Sequence, residues 1–491
     1  MSRLRRLEEL QFENTYARLP EPFYARVEPT PLPNPHLVSF NPDAAALLGL
    51  DPDEAKRPEF AGVFGGQLLI PGSEPVAMLY SGHQFGIYAG QLGDGRAILL
   101  GEVRNGRGEK WDLHLKGAGQ TPFSRDGDGR AVLRSTIREY LCGEAMHGLG
   151  IPTTRSLCIV AGDEAVLRER PEVGAMLLRM APTHVRFGSF QAFFARRQPE
   201  HVQQLADYVI GQFYPHLAGA PDAYPRFFHE VAVRTAQLIA KWQAVGWAHG
   251  VMNSDNMSII GLTLDYGPFG FLDRYDPSFI CNHSDHHGRY SFRNQPDIGY
   301  FNLRCLGQAL SSLVAPPQEQ ETLAAYEAEY AAQYAELMRA KLGLQEVKSE
   351  DGVLVSDLLA LMAMNQVDYT IFFRVLGGFR SAEPERNEPL RDFFVNRVGF
   401  DRWAARYKER LRAEGSRDED RQPRMQRVNP KYVLRNYLAQ VAIERARQKD
   451  YTEIDRLRKL LCDPFAEQPE MESYAASPPD WSRQILVSCS S

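Results

Sequence analysis

The sequence predicts an α+β chain of two lobes, β-rich first and mainly helical second, with an extension at each end. Three observations predict it. A length of 491 residues exceeds one ordinary core, so two or three domains are expected. Residues 91–180 hold short apolar or alternating runs between glycine clusters, such as "RAILLGEV", "KWDLHLKG", "SLCIVAG" and "GAMLLRMA", which is how strands read. After Pro182 the apolar spacing turns helical, as in "FHEVAVRTAQLIAKWQAVGW". The expected division is an N-terminal extension packing on the core (1–90), a first lobe (91–182), a second lobe (183–376), and a helical extension ending in a cysteine-bearing tail (377–491).

Taken in order, residues 1–90 carry turn clusters such as "EPTPLPNPH" and "PGSEP". They predict an irregular wrap with short helices, one at 43–48 with Asp43 near its N-cap. Arg3, Arg5 and Arg6 are mixed with Glu8, Glu9 and Glu13 and precede no apolar core. That pattern predicts a short amphipathic helix and no secretory signal. One helix, "AVLRSTIREYLCGEAMHGLG", interrupts the strands and ends at a glycine. Further helices are expected around 300–342, 353–376, 389–413, 430–448 and 452–462, then an extended Pro/Ser-rich tail from 464. With 44% hydrophobic residues, 24% charged residues and a net charge of −6, the chain reads as globular with no nucleic-acid partner. No apolar run is long enough for a membrane span. The six cysteines (Cys142, Cys158, Cys281, Cys305, Cys462 and Cys489) are scattered, without CxxC. A reducing, cytoplasmic compartment follows.

The motifs carry more. "HGVMNSDNMSI" (249–259), followed by "LDYGPFGFLD", has the rhythm of a protein-kinase catalytic loop and its metal-binding motif. Val251 stands where a kinase has its base. Asn256 and Asp265 offer hard oxygen ligands for Mg2+ or Mn2+ with nucleotide phosphates. Asp255 is the only carboxylate in the loop, so it is the candidate general base, with an N-cap as the plainer alternative. Upstream, Gly93, Gly95 and Arg96 in "QLGDGR" form a turn suited to a polyanion, or a plain β-turn. Lys116 ends an alternating strand before a glycine-rich turn, where a lysine reaches nucleotide phosphate. Glu139 is its expected partner on the next helix, with Glu144 competing. Asp128 and Gly129 in "RDGDGR" form another loop that could touch the nucleotide. Arg179 and Arg186 flank "MAPTHV", which Pro182 keeps from being one helix; their forks suit phosphate. "FICNHSDHHGRYSF" gathers Cys281, His283, Asp285, His286 and His287, but its spacing matches no common zinc signature and it reads as a polar loop.

Together "LHLKGAGQTPFSR", "APTHVRFGSF", "HGVMNSDNMSIIGLTLDYGPFGFLD" and "FICNHSDHHGRYSF" resemble the selenoprotein O family, from about residue 10 to the C-terminus, in its bacterial, cysteine-containing form. The resemblance implies a protein-kinase-like bilobal (pseudokinase) fold and protein adenylylation: AMP moves from ATP to Ser, Thr or Tyr hydroxyls. Transfer of UMP with Mn2+ is also attributed to members. The nucleotide lies flipped relative to kinases, so the α-phosphorus faces the acceptor. Carried over, Gly93, Gly95, Arg96, Lys116, Asp128, Gly129, Arg179, Arg186 and Asp265 bind ATP, and Glu139 pairs with Lys116. Asp255 is the base, and Asn256 and Asp265 hold Mg2+ or Mn2+. Cys489 takes the place of the family's selenocysteine and pairs with Cys281 as a redox latch. A monomer acting on protein substrates, with no nucleic acid or membrane partner, is the expectation. Two rivals stand beside it: an atypical kinase moving the γ-phosphoryl group, and a non-catalytic nucleotide-binding scaffold. Val251 speaks against the first, and the intact Asp255, Asn256 and Asp265 against the second.

Overall fold

The short apolar runs between glycines fold as strands, and they pair antiparallel. The computed structural model describes residues 4–488. Its strands are β1 (Tyr24–Arg26), β2 (His36–Phe40), β3 (Val76–Met78), β4 (Ser81–Gln84), β5 (Ile87–Gln91), β6 (Ala97–Arg104), β7 (Lys110–Lys116), β8 (Ala131–Val132), β9 (Arg155–Leu167), β10 (Pro171–Ala181), β11 (Trp247–Ala248) and β12 (Gly270–Phe271). The main sheet runs β1-β3-β6-β7-β10-β9-β2, with β8 on β10; β4–β5 and β11–β12 are separate pairs.

Helices α1 (Pro42–Leu48) and α2 (Pro58–Phe64) precede β3, and α3 (Leu133–Gly148) links β8 to β9. After β10 come α4 (Phe187–Ala195), α5 (Pro199–Phe213), α6 (Ala223–Val245), α7 (Gln295–Ala309), α8 (Pro316–Lys341), α9 (Asp351–Asn365), α10 (Tyr369–Leu376), α11 (Glu388–Arg391), α12 (Arg397–Ala413), α13 (Asp418–Gln426), α14 (Asn436–Arg447) and α15 (Thr452–Cys462). Among the described residues, no helix is long and apolar enough to cross a membrane.

The first 90 residues correct the expectation of an irregular wrap. They supply β1 and β3 at one side of the main sheet and β2 at the other. Runs as short as "YAR" and "VAM" show no period of their own; pairing makes them strands, with Tyr24 opposite Met78 and His36 opposite Ala161. The expected N-terminal helix is also absent from the described residues. Single 3-10 turns stand at Leu7–Glu9 and Tyr16–Arg18, and between them Phe12 bridges Val103 while Glu13 N donates to Glu102 O at 2.8 Å. Sheet partners claim the amides a helix needs. The tail carries further 3-10 turns at Pro469–Ala475 and Asp480–Gln484.

Two cores sandwich the sheet. On one face Leu113, Leu115 and Leu178 pack with Leu48, Phe60 and Phe64 of α1 and α2. On the other, Leu99, Ile159 and Leu177 meet Ile137 and Leu141 of α3, and the same cluster continues into Ile239 and Trp242 of α6 and Leu457 of α15. Helix α3 therefore sits between the sheet and the helices. A third cluster joins α8, α9, α10 and α12 around Phe372, Trp403 and Tyr407.

Candidate active site

The last residue of β7, Lys116, lies beside Leu177 of β10, and His114 beside Arg179. Period-2 alternation thus puts Lys116, His114 and Arg179 on one face, toward α3. Lys116 Nζ forms a close ion pair with Glu139 Oε2. The competing Glu144 is spent elsewhere: it accepts both prongs of Arg155, Nε at 2.9 Å and Nη2 at 2.7 Å. Arg179 Nη1 joins the cluster 3.1 Å from Glu139 Oε1 and in close contact with Asp265 Oδ1. Lys116 Nζ reaches the same Asp265 oxygen at 3.5 Å. Arg186, at the start of α4, places Nη1 3.0 Å from Asp265 Oδ2 and donates to the Asp255 carbonyl at 3.0 Å. The two arginines around Pro182 thus converge on one carboxylate. Residues 185–187 are fixed there by strand-like bonds, Phe187 N to Met257 O at 2.9 Å and Ile259 N to Val185 O at 3.1 Å.

Burial alone acts to raise the Asp265 carboxyl, but Arg179, Lys116 and Arg186 outweigh it and hold the group well below the usual carboxylate range. Arg96, Lys116, Arg179, Val251, Asn256 and Asp265 line a cavity of about 180 Å³. Gly95 is also in its wall. Gly93 turns the chain with φ +97°, and a Cβ there would lie 2.6 Å from Phe123. Thr121 Oγ1 ties the neighbouring loop to this turn by donating to Asp94 O at 2.7 Å. Asp128 is placed differently: its carboxylate pairs with Arg168 at 2.6 Å and accepts from Arg130 N. Gly129 packs on Gly119.

Asp255 lies on a single 3-10 turn, Ser254–Asn256. Its surroundings invert those of Asp265. It is 6% exposed. Oδ1 is buried with no hydrogen-bond partner, and Gln84 Nε2 sits 3.5 Å from Oδ2. Gly82 makes room for it, since a Cβ there would fall 2.6 Å from Oδ1. Burial pushes the carboxyl up to about 6, even though Arg186 pulls it down. A buried acid kept near neutrality is the state a general base needs.

The loop around it is held by α7: Gln295 Oε1 accepts from His249 N at 2.8 Å, and Asn302 Nδ2 donates to Met252 O at 3.0 Å. Asn256 uses its amide nitrogen on Val251 O at 2.9 Å, which aims its side-chain oxygen elsewhere. Asn256 and Asp265 share the cavity wall. Two hard oxygen donors fit a Mg2+ or Mn2+ ion that takes its remaining ligands from phosphates and water. No group of three or more His, Cys, Asp and Glu side chains able to hold a metal occurs among the described residues.

Sequence reasoning missed a second layer. Alternation in β7 suggests that Asp112 and His114 face solvent, yet they are 2% and 0% exposed. Arg179 Nη2 can only donate, so His114 Nδ1 accepts at 2.9 Å; its Nε2–H then donates to Asp94 Oδ2 at 2.9 Å. His184 stacks on His114 with centroids 4.3 Å apart and bonds Asp112 at 3.0 Å. The Arg186 guanidinium lies 4.4 Å from the Tyr80 ring centroid. The only sequence signal was polar residues alternating in an otherwise buried strand.

In "FICNHSDHHGRYSF", Asp285 accepts from the amides of Arg289 and Tyr290 at 3.0 and 2.7 Å, as a loop organiser does. Cys281 is buried, with Sγ 3.2 Å from Pro268 O. Cys489 lies outside the described residues. Val487, two residues before it, accepts from His283 N at 2.8 Å.

A cation triad around one carboxylate, beside a cavity with hard oxygen donors and a separately tuned acid, equips an enzyme that works on nucleotide phosphates. Comparison gives the class a family. The profile described as "Protein adenylyltransferase SelO" matches residues 6–462. Similar relatives include proteins named "Protein nucleotidyltransferase YdiU" from Myxococcus xanthus, 62% identical over 485 residues, and Thiobacillus denitrificans, 55% identical over 487 residues, each alignment covering 99% of both chains. A relative of the same name from Pseudomonas fluorescens is 53% identical over 489 residues, covering 99% of this chain and all of the relative. The chain belongs to the SelO family and is a nucleotidyltransferase.

Proposed function

We propose that this protein transfers AMP from ATP to Ser, Thr or Tyr hydroxyls of other proteins, on a kinase-like bilobal frame divided at about residue 182. The observation that carries this reading is the contrast between Asp265, gripped by three cations, and Asp255, buried without a countercharge at its oxygens. In the proposed complex the triphosphate enters the cavity and offers Lys116, Arg179, Arg186 and Arg96 stronger anions than Asp265 alone. These cations neutralise the phosphates, the Gly93–Gly95 turn gives backbone access, and Glu139 keeps Lys116 aimed. Asn256 and Asp265 would hold Mg2+ or Mn2+, which as a Lewis acid polarises phosphate oxygens.

The acceptor oxygen attacks the α-phosphorus, and its proton goes to Asp255. The bond from the α-phosphorus to the bridging oxygen breaks. Pyrophosphate leaves, and the protein retains AMP as a phosphodiester. Val251 is no loss here, because the acceptor meets a different phosphorus from the one a kinase uses. UMP transfer with Mn2+ falls within the same proposal, as do a cytoplasmic setting and a monomeric state. The Cys281–Cys489 latch rests on the family resemblance. Equal activity of Cys489→Ser and wild type in oxidising and reducing buffer would remove it.

The test is incubation with acceptor protein and ATP labelled at the α or the γ phosphorus. Protein-bound label from α-ATP alone is expected. Label from γ-ATP alone would replace this reading with a kinase, and binding without transfer of either label would leave a scaffold.

A further inference from the structure

The hairpin β4–β5 stands apart from the main sheet, and among the described residues its strands pair only with each other. One side is fastened to the catalytic loop. His83 N donates to Ser254 Oγ at 2.7 Å, and Phe85 N donates to the Tyr290 hydroxyl at 2.8 Å. Gln84 reaches Asp255, and Gly82 lies against it. The hairpin also exposes large apolar groups: Ile87 is 75% exposed, and Phe85, packed on Tyr290, and Tyr88, bonded to Ser81 Oγ, are 40% exposed each. Strand β5 also has a second edge, unpaired among the described residues, and such an edge is a template for an added strand.

Charge decides what such a strand carries. Arg196 and Arg197 follow the end of α4 and are exposed; Arg196 Nη2 holds Gln91 Oε1, in β5, at 2.6 Å. Arg289 borders the tip of the hairpin, where a Cβ on Gly86 would lie 3.0 Å from its Cζ. Among the described residues these three arginines form no ion pair, in a protein whose net charge is −6. Arg289 instead lies over the Phe301 ring at 4.7 Å with its Nε unbonded. Exposed apolar side chains on a free strand edge, flanked by unpaired guanidiniums, match an extended acidic peptide with alternating apolar residues.

We propose that the β4–β5 hairpin is the acceptor-docking platform: an extended, acidic segment of the substrate protein adds beside β5, is held by Ile87, Tyr88 and the three arginines, and delivers its hydroxyl to the neighbouring Asp255. This rests on the reading of the protein as a transferase to protein hydroxyls. It identifies the substrate by shape and charge.

The test reads binding rather than turnover, so it stands apart from that reading. The probe is a fluorescent synthetic peptide alternating Asp and Val around one Ser; the control carries Lys in place of Asp. By anisotropy with the full chain, the acidic peptide is expected to bind at least about tenfold more tightly than the basic one. R196E/R197E should abolish that preference, and I87D should weaken the acidic peptide by about tenfold. Both variants change exposed side chains, and unchanged thermal unfolding and nucleotide affinity check that the fold is intact. Equal binding of the two peptides, or unchanged binding in both variants, overturns the proposal. So does a change of oligomeric state in I87D without loss of peptide binding, which would make this face an interface between copies. Loss of α-label transfer with peptide binding intact would instead count against the transferase reading alone.

Discussion

Asp255 and Asp265 stand ten positions apart on one stretch of chain, and the fold gives them opposite electrostatics. Asp265 is crowded by Lys116, Arg179 and Arg186 and is held firmly ionised. Asp255 is walled in by Gly82 and Gln84, meets only weak donors, and rises to about 6. The lesson is that one residue type serves two tasks when the surroundings, and not the side chain, set the charge. In the proposed mechanism, a carboxylate that organises cations and metal must never protonate. One that accepts a proton must stay close to doing so.

The largest expected effect breaks the first half of this contrast. Asp265→Ala leaves Lys116 and Arg179 sharing Glu139 and removes the only carboxylate that Arg186 pairs with among the described residues. We expect transfer to fall by about 10³-fold, and thermal unfolding to show destabilisation of about 3 kcal/mol from uncompensated charge. A variant as stable as wild type would show that the cations do not depend on Asp265.

Asp255→Asn probes the other half, with a loss of at least about 10²-fold in turnover. Nucleotide affinity should be unchanged, since no hydrogen bond from Lys116, Arg179 or Arg186 ends on the Asp255 carboxylate. If affinity falls along with rate, the two carboxylates are one functional unit and the contrast fails.

The pH profile sharpens the contrast further. The proposed base, Asp255, can act only when ionised, so kcat/KM should be lost as pH falls through about 6. Arg186 favours the ionised form, so Arg186→Ala should move this acid limb to higher pH, besides lowering the plateau. Gln84→Leu, which removes a weaker donor, should move the limb the same way by less and spare the plateau. A limb that stays in place in both variants would assign it to another group.

Part of this site is legible in the sequence. Lys116, Asn256 and Asp265 declared themselves because strand, turn and loop patterns put chemistry at fixed offsets. Glu139 was the expected partner of Lys116 and pairs with it; what the sequence did not show is the bidentate Arg155 pair that removes its competitor Glu144. The Asp94–His114–Arg179 chain was hidden because alternation reports that a side chain alternates, and not what covers the far face. Strands β1 and β3 were hidden for a related reason: three residues carry no period, and their extended state comes from partners far along the chain.

By itself the sequence determined the order of β-rich and helical segments, the loop chemistry at 249–265, and the family, because these depend on local residue types at local spacing. Tertiary structure decided that Glu144 goes to Arg155, that Arg179 and Arg186 meet on Asp265, and that Asp255 is buried beneath the β4–β5 hairpin. Those outcomes depend on distance and dielectric between segments remote in sequence, and only the packed chain sets either.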